Sequence, residues 1–455
     1  MTQPNLIQKY NIPGPRYTSY PTVPYWDPDS IDTARWMEAV ERAFAASNAA
    51  EGISLYIHLP YCESLCTFCG CHKRITRRHE VESPYIEALL NEWRSYRALF
   101  SQTPRIRELH FGGGTPTFFS PDNLARLVDG IMREATPAEN HEFGFEAHPN
   151  STSREHLDTL YRLGFRRCSF GVQDYDPLVQ KTINRIQPFE RVRQATEAAR
   201  ETGYTSISHD LVFGLPHQTL DKVVDTIDKT GLLRPDRLAF YSYAHVPWIK
   251  GTGQRGFSEA DLPRDETKRA LYEAGKRMFS ELGYEEIGMD HFALESDSLY
   301  RSMQNRALHR NFMGYTASKT RLMVGLGMSA IGDSWDAFAQ NEKTVPEYEA
   351  RANRGELPVF RGHLLTDEDR IVRRHILNIM CHFETGWADD DDRFPELEAC
   401  LDKLEELQAD GLLQLEEDRL VVPENARPFV RNICMAFDLR LMRNAPDTRI
   451  FSMTI

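Results

Sequence analysis

A chain of 455 residues with 41% hydrophobic side chains is long enough for a large catalytic domain with appendages, and it needs no disulfides to hold it together. Its net charge of -13 excludes a role dominated by nucleic-acid phosphate contacts, which clustered Lys and Arg drive by counterion release. No run approaches the roughly 20 apolar residues needed to cross a bilayer, and the start Met1-Thr2-Gln3-Pro4-Asn5 lacks a charged then apolar signal region. A cytoplasmic protein bound to neither membrane nor nucleic acid is therefore expected.

Residues 1–50 fit no strand-helix repeat, although Gly14-Pro15-Arg16-Tyr17-Thr18-Ser19-Tyr20-Pro21-Thr22 concentrates aromatic, hydroxyl and Arg groups. Two readings stand: an arm covering the mouth of the domain that follows, or a surface arm docked by Tyr17 and Tyr20.

Residues 51–364 alternate β-rich runs with amphipathic segments, the pattern of repeated βα units around a parallel sheet. Ser54 to Leu59, Arg107 to Phe111, Glu142 to Glu146, Arg167 to Val172, Ser206 to Phe213 and Arg237 to Tyr243 read as strands. Between and after them, Pro84 to Phe100, Pro121 to Ala135, Ser153 to Leu163, Pro188 to Thr202, Thr219 to Leu232 and Arg264 to Leu282 read as helices. Early prolines and terminal Gly164, Gly203 and Gly283 punctuate them. Six βα units make about three quarters of an eight-fold barrel, an α/β fold of partial (β/α)6 TIM-like type with a lateral opening.

The first strand runs directly into four cysteines within ten residues, and Cys62, Cys66 and Cys69 follow the spacing C-x3-C-x2-C. Three thiolates on a short loop hold three corners of a four-iron cubane and leave the fourth iron open to a substrate. The competing zinc reading asks for a second Cys or His pair downstream, which is missing. Cys168, Cys381, Cys400 and Cys434 are scattered singly in apolar or helical contexts and read as small core residues. Arg74, Arg77 and Arg78 after the loop read as a solvated turn before an anion site.

The second strand runs into Gly112-Gly113-Gly114-Thr115-Pro116-Thr117, where absent side chains would let the backbone approach a ligand. Glu146, Gln173, Asp174 and Asp210 place polar groups at or near strand ends, where barrel enzymes collect their chemistry. His58, at a strand end, reads as structural. From residue 365 to 455 the pattern turns to helices, Glu368 to His382 and Glu396 to Asp410, then Leu412 to Leu415 and Arg419 to Val422 around an acidic turn. This suits a small, mainly helical, winged-helix-like domain whose acidic clusters, Asp389 to Asp392 and Glu416 to Asp418, repel phosphate. A lid or packing role is expected for it.

C-x3-C-x2-C after the first strand and GGGTP after the second resemble radical S-adenosylmethionine enzymes. The arm GPRYTSYPT, the fourth cysteine in Cys69-Gly70-Cys71, Phe170-Gly171-Val172-Gln173-Asp174, Gly288-Met289-Asp290-His291-Phe292 and His309-Arg310-Asn311-Phe312 narrow the resemblance. They are similar to the family of oxygen-independent coproporphyrinogen III oxidases, over nearly the full length. The resemblance implies a 4Fe-4S cluster on Cys62, Cys66 and Cys69, whose open iron chelates S-adenosylmethionine (SAM).

It further implies two SAM molecules: one contacted by Tyr56, Gly113, Glu146 and Ile331, the other by Phe68, Gly114, Thr115, Gln173, Arg185, Asp210 and Ala244. A structural salt bridge is the competing role for Arg185. The implied reaction converts two propionates of coproporphyrinogen III to vinyl groups and yields protoporphyrinogen IX, a step of haem biosynthesis. An electron donor and a terminal acceptor, neither identified, would serve a monomer, and Cys71 would be an activity-related thiol. The alternatives are a haem chaperone of the same family, or a radical SAM enzyme with another substrate. Chaperone relatives typically lack the GPRYTSYPT-like arm and the fourth cysteine, both present here.

Overall fold

The computed structural model describes residues 3–247 and 254–454. Six parallel strands form its centre: β1 (Ile53–Leu59), β2 (Arg105–Gly113), β3 (Thr136–Ala147), β4 (Arg167–Gln173), β5 (Ser206–Phe213) and β6 (Arg237–Ser242). Each pairs in parallel with the next, from Leu55 opposite Leu109 to Phe213 opposite Ser242. The crossovers carry α1 (Glu82–Arg97), α2 (Pro121–Met132), α3 (Arg154–Arg162), α4 (Phe189–Thr202) and α5 (Leu220–Leu233), and α6 (Asp265–Glu281) follows β6. These are the six strands and six helices expected from the sequence, with ends shifted by a few residues.

Local chemistry explains the boundaries. Ser120 caps α2 by accepting from the Asn123 N-H, and Ser153 with His156 forms a reciprocal cap on α3. Gly203 ends α4 at φ +111°, a left-handed conformation that costs glycine nothing. Both faces of β1 are buried, as a strand sandwiched between barrel interior and helix layer must be. Leu55, Ile57 and Leu59 share one core with Leu89 and Trp93 of α1, each such side chain worth about 1.5–3 kcal/mol of apolar burial.

The sheet is larger than the repeat pattern implies. β7 (Glu285–Gly288) and β8 (His291–Ala293) form an antiparallel hairpin on the β6 edge. On the other side β9 (Met323–Leu326) pairs in parallel with β1, and β10 (Ile331–Asp333), β11 (Ala337–Asn341) and β12 (Val359–Leu364) continue antiparallel. The resulting twelve-stranded order begins at β12 and ends at β7. It is an arc with two free ends.

The residues before β1 divide between two cores. Trp36 and Phe44 of the helix Thr33–Ser47 pack with the barrel strands, whereas Leu6, Tyr10, Tyr17 and Tyr20 join the core of the carboxyl-terminal segment. Tyr17 donates to Asp438 at 3.0 Å, so the docking aromatics lie against that segment. The segment itself runs helix Asp367–His382, strand Glu384–Gly386, helix Leu397–Ala409 and a hairpin, Gln414–Leu415 with Arg419–Val421. That is the winged-helix-like order expected, closed by the helix Val430–Phe437.

Candidate active site

β1 ends at Leu59, and the chain then enters the cysteine loop. A two-residue pairing of Tyr61–Cys62 with Arg74–Ile75 closes the loop at its base. Its tip is fastened to the turn after the helix Pro177–Thr182: the Thr67 N-H donates to Ile183 O at 2.9 Å and Asn184 Nδ2 to Leu65 O at 2.7 Å. Lys73 spans the far side, donating to the carbonyls of Cys69 and Cys71 at 3.3 and 3.2 Å. The thiols thus sit on a framed loop.

Cys62, Cys66, Cys69 and Cys71 all line one cavity of about 320 Å³, together with Gly113, Gly114 and Thr115 after β2, Glu146 on β3, Gln173 on β4 and Asp210 on β5. Phe68 and Arg185 complete the set named from the sequence. Thr115 Oγ1 lies 3.3 Å from Cys62 Sγ, and Arg185 Nη1 lies 3.6 Å from Cys66 Sγ. Contact with Cys71 lowers the Cys69 thiol to about 6 and drives Cys71 upward, while burial pushes Cys62 up to about 11. Among the described residues, no three His, Cys, Asp or Glu side chains are gathered as a single-ion site. Three of these thiols, on the spacing C-x3-C-x2-C, share one cavity wall, a donor set that suits three corners of a four-iron cubane.

The glycines are required by protein neighbours. A Cβ on Gly112 would sit 2.9 Å from the Tyr56 ring and 3.1 Å from Glu146 Oε1; one on Gly114 would sit 2.5 Å from Pro60 O. Gly113 adopts φ +113° against the His58 ring. The Gly114 and Thr115 N-H groups donate to Leu59 O and Tyr61 O at 2.9 and 3.0 Å. The run therefore lies as a shelf directly beneath the cysteine loop.

Asp210 is held by Ser169 Oγ at 2.8 Å, and burial, with Glu146 nearby, pushes its carboxyl up to about 7. Gln173 sits at φ +68°, in the left-handed region, and its Nε2, like the Arg185 guanidinium, closes over Gly171, where a Cβ would meet it at 2.7 Å. Arg185 donates to Gly171 O and Gln187 Oε1 at 2.5 and 3.1 Å. Among the described residues no carboxylate pairs with it, so the salt-bridge role does not apply in this structure.

Three candidates lie off the cavity wall. Tyr56 stands behind Gly112, its hydroxyl 3.1 Å from His58 Nδ1. Ala244 follows β6 and lines a neighbouring cavity. Ile331 opens β10, where its backbone packs against Gly325 of β9, the register partner of Tyr56. Asp174 turns away, accepting from the Asp176 N-H and from Gln218 Nε2, both at 2.6 Å. His58 is structural as expected: burial lowers it to about 4, and Nε2 meets His72 O at 2.8 Å.

Ser169, Lys73 and His148 are cavity residues that pattern reading missed. Ser169 alternates with Phe170 along β4, which was the available signal.

Residues 56–230 match the radical SAM superfamily, and residues 365–429 match the HemN C-terminal domain. Oxygen-independent coproporphyrinogen III oxidase of Pseudomonas aeruginosa is 36% identical over 441 residues, 95% of each chain. The protein of that name from Escherichia coli K12 is 37% identical over 448 residues, 97% of this chain and 96% of its own. The solved structure of coproporphyrinogen III oxidase (HemN) from Escherichia coli, described as a radical SAM enzyme, superposes with a TM-score of 0.87 at 35% identity. It covers 93% of this chain and 97% of its own. With motifs, barrel, appended domain and full-length likeness in agreement, the chain belongs to the oxygen-independent coproporphyrinogen III oxidase family of radical SAM enzymes.

Proposed function

We propose that this chain decarboxylates two propionate side chains of coproporphyrinogen III to vinyl groups, giving protoporphyrinogen IX without oxygen. The observation that carries the reading is the single cavity into which three loop cysteines and the ends of β2, β3, β4 and β5 converge, within a chain that its named relatives match end to end. Cys62, Cys66 and Cys69 would hold the 4Fe-4S cluster. The cluster, with SAM, would supply the one-electron chemistry that removes a hydrogen atom from the propionate β-carbon. Carbon dioxide then leaves and one electron passes to an acceptor, so each vinyl group costs one hydrogen atom and one further electron.

The chain's own residues bind and orient. Glu146 accepts from an ammonium or a ribose hydroxyl, and Asp210 accepts from a cation or hydroxyl once ionised. The Arg185 guanidinium, fixed by Gly171 and Gln187, presents its remaining donors to a carboxylate. The glycine shelf offers backbone groups at the floor, with Phe68 as an apolar wall. Tyr56, Gly113, Glu146 and Ile331 would serve the cluster-bound SAM, and Phe68, Gly114, Thr115, Gln173, Arg185, Asp210 and Ala244 a second molecule. Cys71, hydrogen-bonded to Cys69, stays outside the cluster's ligand set.

Anaerobic reconstitution with iron and sulfide, followed by incubation with coproporphyrinogen III, SAM and a reductant, tests the proposal. Two carbon dioxides per protoporphyrinogen are expected. Haem binding without turnover would replace it with a carrier role, and a methylated product with a different radical reaction.

A further inference from the structure

A second cavity, of about 450 Å³, lies beside the first, within the roughly 300–1,000 Å³ of small-molecule sites. Its floor is built from Phe213 and Gly214 at the end of β5 and Ser242 to His245 at the end of β6, the carboxyl ends where barrel function gathers. One wall comes from the amino-terminal arm and another from the carboxyl-terminal segment. The two cavities are separated by a thin seam: Gln254 Nε2 donates to Phe68 O at 3.3 Å on one side and to Ala244 O at 2.8 Å on the other.

The lining holds seven Arg and Lys side chains against three Asp and Glu, in a chain whose net charge is -13. Arg16 is paired with Asp290 and Arg269 with Glu273. Lys268 has no carboxylate partner among the described residues. Its ammonium carries three donors, and the protein acceptor it has is Tyr243 O at 3.0 Å. Burial lowers Lys268 to about 8; Arg16, Arg449 and Arg431 add to the shift and Asp290 opposes it.

Arg427 lines the same space with a buried Nε that meets no acceptor among the described residues. Arg431 is spent differently: it donates to Pro15 O and Met453 O, both at 2.8 Å, and to Gly14 O, and so fixes the arm that carries Arg16. Spare cationic donors in a cavity of this size call for a ligand with several carboxylates.

Resting on the decarboxylation reading above, we propose that this cavity holds propionates of coproporphyrinogen III, with Lys268 and Arg264, which lines the cavity at its exposed rim, gripping carboxylates, and Arg431 as the positioning residue for the arm. The seam then explains how one propionate reaches the radical while others stay anchored. Among the described residues, Gln254 ties Phe68 on the cysteine-lined side to Ala244 on the cation-lined side.

The test is a fluorescence titration of the cluster-loaded protein with coproporphyrin III, the oxidised tetracarboxylate, run beside anaerobic turnover of coproporphyrinogen III. Lys268→Gln and Arg264→Gln should each weaken binding and raise KM by roughly tenfold or more. Lys268→Arg should restore most of the loss, and the porphyrin tetramethyl ester should bind all variants equally weakly. Iron content and circular dichroism verify that each variant is folded; Arg264, on the exposed rim, supplies the answer should Lys268→Gln fail to load. Unchanged binding in both Gln variants, with the wild type turning over, would overturn the assignment and leave the activity standing. A wild type that neither binds coproporphyrin III nor turns over would overturn both.

Discussion

The cysteine-lined cavity and the cation-lined cavity occupy neighbouring strand ends of one barrel, yet their charge balance differs: three acidic and two basic side chains line the first, three acidic and seven basic the second. Around the thiols stand Glu146 and Asp210, acceptors suited to an ammonium or a hydroxyl. Around Lys268 stand guanidinium groups suited to carboxylates. The first is built by successive βα loops, each contributing a residue or two. The second requires the arm, α6 and the last helices to meet. On the proposals above, a βα repeat would supply the reaction centre and the appendages the substrate's anchor.

The largest disturbance to this contrast should come from Cys66→Ser, which removes a cluster corner without touching the cationic side. Turnover and the four-iron absorbance should both vanish; a full iron count in the variant would contradict the ligand assignment. Porphyrin binding should survive the same change, since Cys66 lies across the seam from Lys268.

Gly114→Ala comes next. Its Cβ would press on Pro60 O at 2.5 Å, a backbone atom that cannot swing aside. A loss of about 1–3 kcal/mol is expected, read as a lower Tm and reduced cluster loading. An unaltered Tm would mean the shelf is looser than this packing implies.

Asp210→Asn should have a smaller effect that depends on pH. With the folded carboxyl raised to about 7, by burial first and by Glu146 second, Asp210 binds its proton more tightly in the fold than in the unfolded chain. Its contribution to stability is complete below the ordinary carboxyl range near pH 4 and is lost as pH rises toward 7. Affinity for a cationic ligand runs the other way, growing as the carboxyl ionises through that same range. Asp210→Asn should flatten both trends, measurable as Tm and SAM affinity between pH 5 and 8, on the order of the interval between the two pKa values. Cys71→Ser should be the mildest at the cluster: iron content should match the wild type, and loss of one quarter or more of the iron would move Cys71 into the ligand set.

Much of the barrel was legible because its information is local. Strand β5 spans Ser206–Phe213, as its run of β-branched and aromatic residues indicates, and Gly203 marks the end of α4 as read. The strands β9 to β12 were not legible: they are three to six residues long, and β9 is chosen by pairing with β1, whose register joins Ser54 to Met323. No window of sequence contains that contact.

The cysteine cavity was readable from C-x3-C-x2-C and the strand-end polar residues. Asp174 was not separable from Gln173, since one step along the chain turns a side chain from cavity to core. The glycine run was read as space for a ligand, and the structure adds Pro60, His58 and Tyr56 as the neighbours that demand it. The cation-lined cavity takes Arg16 from the GPRYTSYPT arm and Met289 and Asp290 from Gly288-Met289-Asp290-His291-Phe292, yet neither motif names its partners Lys268 and Arg431. Arg16, Lys268 and Arg431 come from three distant segments, and only folding makes them a set.

The grip of Arg431 on Gly14 and Pro15 sets a timetable for biosynthesis. These partners are 417 and 416 residues apart in the chain, and the arm's Pro13 also bridges to Met453. At roughly 5–20 residues per second on the ribosome, the arm waits about 20–80 s for its clasp to emerge. The thiol loop and its βα frame are complete long before that. A nascent chain can thus complete the frame of its thiol loop first and lock the arm onto Arg431 later, so the two cavities mature in sequence.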